Sequence, residues 1–177
     1  MFQVCQRSAL SAFHFQALDM QGGLLADLVW PHWPQAKNAR LRWNAPDSPK
    51  SDIQIRMGEE LYRIGFEYLS RGFTNEIRFT LHQGGEPLAV ADVLHPKGAG
   101  LKRMKLLLQH PLRAEFSPAN RWGRVRYRLE QNGQCLGTVE ETRWFTLKRE
   151  LTVTMPPQLS LPVQVFLAFL TVQAAFS

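Results

Sequence analysis

The last stretch of the chain, LPVQVFLAFLTVQAAF (Leu161–Phe176), contains neither a charged residue nor a glycine. Pro156 and Pro157 end whatever precedes it, Ser160 can cap a helix, and Pro162 suits a first helical turn. A helix over about 161–176 follows. At 100° per residue, Gln164, Ala168, Thr171 and Ala175 form one narrow small or polar stripe. Val163, Val165, Phe166, Leu167, Phe169, Leu170, Val172 and Phe176 cover nearly all the rest. A surface helix needs an apolar stripe only a little over ~100° wide, so this one has to be enclosed. It is short for a bilayer: residues 162–176 span roughly 22 Å, against about 30 Å of hydrocarbon. Gln164 and Gln173 also fall on opposite sides, and no basic cluster follows to anchor the far end. A partner chain or a membrane remains an alternative host, but the segment's own domain is the expected one.

That domain reads as all-β. From about Ser11 to Thr154 the pattern is short alternating runs broken by Gly, Pro and Asn. Twelve strands are expected, near 11–18, 24–30, 38–43, 52–57, 60–68, 76–82, 87–93, 103–108, 111–116, 122–130, 134–142 and 147–154. Three hairpins resemble one another, turning at Gly22-Gly23, Gly84-Gly85 and Asn132-Gly133, each just after a Gln and each able to take positive φ. The 177 residues suit one domain, 1–177, with no linker to a second. The softest stretch is WNAPDSPKSD, Trp43 to Asp52. About twelve mostly antiparallel strands and one enclosed helix imply a closed barrel with the helix threaded through it.

At this point the sequence resembles the tubby C-terminal-like superfamily, which includes the LURP-one-related proteins and the phospholipid scramblases. The opening hairpin ALDMQGGLLADL, the late hairpin QNGQCLGTVEETRW, the strand RELTVTMP and the closing LPVQVFLAFLTVQAAF carry the resemblance. It implies the barrel just described and a non-enzymatic module that docks on anionic phospholipid or phosphoinositide headgroups. Scramblases carry an acidic calcium-binding segment before the terminal helix. Here WFTLKRELTVTMPPQLS holds one acid, Glu150, so calcium-driven scrambling is not implied.

The residues themselves point the same way only through charge. No GxSxG, HExxH, GxxxxGK[ST] or paired CxxC motif occurs. His14, His32, His82, His95 and His110 have no metal-ligand spacing, so neither a catalytic residue, a metal nor a cofactor is expected. His95 and His110 each precede a proline and mark strand ends or turns. Glu59-Glu60 and Glu140-Glu141 fit solvated strand ends, the first pair at a hairpin turn. The formal charge is +6, which favours anionic partners. In RWGRVRYRLE, a strand would turn Arg124, Arg126 and Arg128 outward and Val125, Tyr127 and Leu129 inward, spacing the guanidiniums ~6.6–7 Å apart. Guanidiniums grip phosphates bidentately. Lys102, Arg103, Lys105 and Arg113 could join them, with Arg121, Arg143, Lys148 and Arg149, into one headgroup-binding patch. The plainer reading is a solvated face balanced by Glu130, Glu140, Glu141 and Glu150. Trp30, Trp33 and Trp43 fit an interfacial belt, a ligand groove, or the plug of one barrel end.

Cys5 and Cys135 offer no disulfide framework, and the N-terminus lacks a signal-peptide pattern. A cytoplasmic protein, peripheral at the membrane, is expected. A structural or protein-interaction barrel without a lipid ligand is the alternative. Nucleic acid ranks below both, with Trp122 and Tyr127 as its stacking surfaces. The oligomeric state is left open.

Overall fold

The computed structural model describes residues 1–7, 13–31, 52–70, 76–94, 105–119, 125–142 and 148–176, excepting the side chains of 174–176. Twelve strands are present: β1 Phe2–Gln6, β2 Phe13–Leu18, β3 Leu24–Trp30, β4 Ile53–Met57, β5 Glu60–Ser70, β6 Glu76–Gln83, β7 Glu86–Leu94, β8 Lys105–His110, β9 Ala114–Pro118, β10 Arg126–Gln131, β11 Gln134–Glu141 and β12 Glu150–Thr154. Among the described residues one helix, α1 Leu161–Phe176, follows. Each strand pairs antiparallel with its sequence neighbours, and β1 closes on β12, with Val4 opposite Leu151. Closure removes every free strand edge.

The count matches the expectation, but the set differs. Strand β1 was not foreseen, although Phe2 and Val4 alternate with Gln3 and Cys5 and are buried. The expected strand at 38–43 lies outside the described residues. Lys105–His110 is a strand rather than a short helix, as expected, and His110 ends it.

The helix fills the barrel. Val163, Val165, Phe166, Leu167, Phe169, Leu170 and Val172 are all buried, and so are Ala168 and Thr171 of the small or polar stripe. Phe169 packs edge-on against Phe13 of β2 and Phe79 of β6, with ring centroids 5.8 and 5.6 Å away. The Thr171 hydroxyl donates to the Leu167 carbonyl, 3.1 Å away, so its burial leaves no unmet donor. At the start of the helix the Gln164 amide bonds the Ser160 carbonyl at 3.0 Å, as an N-cap position requires.

The registers give the barrel two unlike ends. One end, here the turn end, collects the short hairpin turns at 19–23, 58–59, 84–85, 111–113 and 132–133, together with the 155–160 passage into α1. Gly84-Gly85 and Asn132-Gly133 all have positive φ, as a two-residue hairpin demands. The first hairpin corrects the proposed likeness. There Gly22 alone of the pair has positive φ, and Asp19 closes a five-residue turn by accepting from the amides of Gln21 and Gly23. Gly137 marks a close approach at this end: a Cβ there would lie 2.5 Å from the Thr154 carbonyl oxygen. The other connections, 8–12, 32–51, 71–75, 95–104, 120–124 and 143–147, all join strand ends at the opposite end and lie outside the described residues.

Candidate functional site

Strand β10 follows its expected alternation. Tyr127 and Leu129 are buried, while Arg126 and Arg128 are half-exposed on the outer wall. Arg124 lies outside the described residues, as do Lys102, Arg103, Arg121 and Arg143. Arg126 stands directly opposite Glu140 on β11 and ion-pairs with it at 3.0 Å. Arg128 pairs with Glu130 at 3.3 Å. Its guanidinium also meets the Cys135 sulfur, and that contact, ahead of Glu130, raises its pKa. Lys105 pairs with Glu115 at 3.3 Å. Arg149 pairs with Glu141 at 3.2 Å; burial pushes its pKa down, and Glu141 opposes the shift. The wall is therefore a lattice of ion pairs. The carboxylate side chain of Glu141 is only 12% exposed, so it is more enclosed than a solvated strand end.

The structure splits the expected patch. Lys105 opens β8, Arg126 opens β10, Lys148 and Arg149 precede β12, and Arg7 follows β1. The β7–β8, β10–β11, β11–β12 and β12–β1 registers set these strand ends at one end of the barrel, opposite the turns. Arg113 belongs to the β8–β9 turn at the other end, roughly 17 Å away along β8. It is exposed and lines a groove of about 500 Å³ with Leu107, Gln109, Glu115, Glu130 and Asn132. The two glutamates of this groove already hold Lys105 and Arg128.

Charge is divided more sharply than the wall suggests. The described residues hold 10 of the 21 Lys and Arg but 14 of the 15 Asp and Glu. The remaining 11 cations and one acid, with four of the five tryptophans, fall in the segments outside the described residues that join strand ends opposite the turns. The fifth, Trp30, is fully buried against Phe13. It is core, which overturns an interfacial role for this residue; Trp33 and Trp43 lie outside the described residues.

Cys5 and Cys135 form no disulfide. Among the described residues, no group of three or more His, Cys, Asp or Glu side chains could hold a metal ion. No helix among them is long and apolar enough to cross a membrane. The strands turn apolar residues inward and charged ones outward, the reverse of a membrane-spanning barrel.

Sequence reasoning found the outward row and most of its counter-charges but missed Glu115. The short-range signal was present, because Glu115 alternates with buried Ala114 and Phe116. Comparison with protein-family models, curated proteins and solved structures finds no match for this chain.

Proposed function

We propose that this chain is a non-enzymatic binding module of the tubby-like kind that docks on anionic phospholipid headgroups. It presents the barrel end opposite the hairpin turns rather than the middle of the β10 wall. The separation of charge carries this reading. The wall cations are neutralised by Glu115, Glu130, Glu140 and Glu141. The chain's positive excess lies by sequence in the segments between strands at that end, and six of their 11 cations are in the three segments that lead into β8, β10 and β12. Lys105, Arg126 and Arg149 stand at or beside strand ends there, and clustered cations attract an anionic leaflet at about 1 kcal/mol for each Lys or Arg near the surface. Tryptophans in the same connections suit the headgroup level.

Co-sedimentation with phosphatidylcholine vesicles, with and without phosphatidylserine or a phosphoinositide, tests the reading. Retention is expected only on the anionic vesicles and should weaken as salt is raised. Joint replacement of Lys102, Arg103 and Lys105 by Gln should weaken binding by roughly two orders of magnitude, at ~1 kcal/mol each. Arg113→Gln, at the other end, should leave it unchanged. Equal retention on neutral and anionic vesicles rejects the proposal.

A further inference from the structure

The turn end carries a second pattern that the lipid reading does not use. Met20, Leu24 and Leu61 are 51%, 57% and 41% exposed, and they stand on the β2–β3 turn and at the starts of β3 and β5. Leu61 is opposite Arg56, which is opposite Asp27. Continuing that register brings Leu24 beside the Gly58–Glu59 turn, three residues beyond the level of Leu61 and two strands across, so the two leucines are roughly 14 Å apart. Three of the five exposed large apolar residues among the described ones therefore stand on this arc. Such clustering marks a contact surface more often than scattered leucines do.

The charges around this arc are mostly acidic, four carboxylates against Arg56, opposite Leu61, and Arg63, two residues along β5. Asp19, Glu59, Glu60 and Glu86 sit in or beside the three adjoining turns. Elsewhere on the barrel, Glu67, Asp92, Glu115, Glu130, Glu140 and Glu141 each have an Arg or Lys partner. Among the described residues, none of the four rim acids has one. Asp19 is used by its own turn, and Glu60 accepts from the Tyr62 hydroxyl at 2.6 Å. Arg56 sends its guanidinium to the Gln54 side-chain oxygen, 2.7 and 3.1 Å away. Apolar side chains beside an excess of carboxylates disfavour an anionic membrane and suit a ligand that brings both apolar groups and positive charge.

We propose that this rim is a docking surface for a partner protein's basic amphipathic segment, with apolar side chains on Met20, Leu24 and Leu61 and Lys or Arg facing the four acids. The site is independent of the lipid-facing end.

A random dodecapeptide display selection on the intact chain tests this, counter-selected against the Leu24→Ser/Leu61→Ser variant. Both leucines are exposed, so the variant should melt as the parent does. The expected winners combine large apolar residues with Lys or Arg. A synthetic winner should bind at least tenfold more weakly to the double variant and to Glu59→Gln/Glu86→Gln, and more weakly in high salt. The proposal is overturned if no peptide survives counter-selection, or if the winners are neutral or acidic. It is likewise overturned if the parent self-associates through these leucines, or if the double variant loses vesicle binding. The first outcome removes the site; the last two assign it to a second copy or to lipid.

Discussion

Strand β10 lies between two environments. Tyr127 and Leu129 face α1 and the barrel interior, whereas Arg126 and Arg128 face water. The inner side has one solution, because α1 is apolar almost all round and is buried from Pro162 to Gln173 except at Gln164. Each fully buried large apolar side chain there contributes about 1.5–3 kcal/mol in area terms, without directional requirements. The outer side is a set of exchangeable ion pairs, each worth ~0–1 kcal/mol when exposed. The interior therefore dictates the fold, and the wall is free to vary.

The largest expected effect removes the interior. A chain ending at Gln158 lacks Leu159 and all of α1, and its twelve strands would surround an apolar void the length of the helix. Such a chain should be insoluble or show no cooperative melt by circular dichroism. If it stays soluble and melts like the full chain, the interior is not what organises the barrel, and the contrast with the wall collapses.

The same contrast explains which features were legible. Helix α1 could be placed from its own residues, because an all-round apolar segment of 16 has few places to go. Most strands were legible from alternation and turn chemistry. Strand β1 was not, since five residues are a weak periodic signal and Phe2 and Val4 acquire meaning only once β12 closes the barrel on them. The Asp19 turn resembles the Gly-Gly and Asn-Gly turns in composition, yet it is set by a side chain accepting from two amides. The outward direction of Arg126 and Arg128 was legible, but their neutralisation was harder to see. Glu140 lies opposite Arg126 only because the Asn132-Gly133 turn and the bulge at Leu129/Glu130 fix that register. Arg113 looks near Lys105 in sequence, but β8 carries it to the other end.

A smaller effect probes the boundary between the two environments. Burial pushes the Tyr127 hydroxyl up to about 12 from 10.0, and its ring lies 5.2 Å from that of Phe116. Between those values the unfolded chain loses this proton and the folded chain keeps it. The contribution is therefore fully present below about pH 10 and is lost as pH rises toward 12. Tyr127→Phe keeps the ring and removes the proton. Its stability relative to the parent should be flat from pH 7 to 9 and then rise by on the order of 2 kcal/mol toward pH 12. Urea melts at stepped pH measure this, and a parallel pair of curves would mean that the hydroxyl already reaches water in the folded state.

The smallest effect is expected on the wall. Lys105 and Glu115 are 49% and 38% exposed and 3.3 Å apart, on adjacent strands. Water screens the pair, and each side chain loses rotamer freedom to form it, so a double-mutant cycle with Lys105→Gln and Glu115→Gln should give a coupling below about 1 kcal/mol, shrinking further in high salt. Vesicle binding should respond in a different pattern. Lys105→Gln removes a cation from the end proposed to face lipid and should weaken retention, whereas Glu115→Gln releases Lys105 from its counter-charge and should strengthen it. Opposite signs in binding with near silence in stability would show that the wall pairs hold cations in reserve for a ligand. A coupling of several kcal/mol would instead make the wall a structural element on a par with the helix.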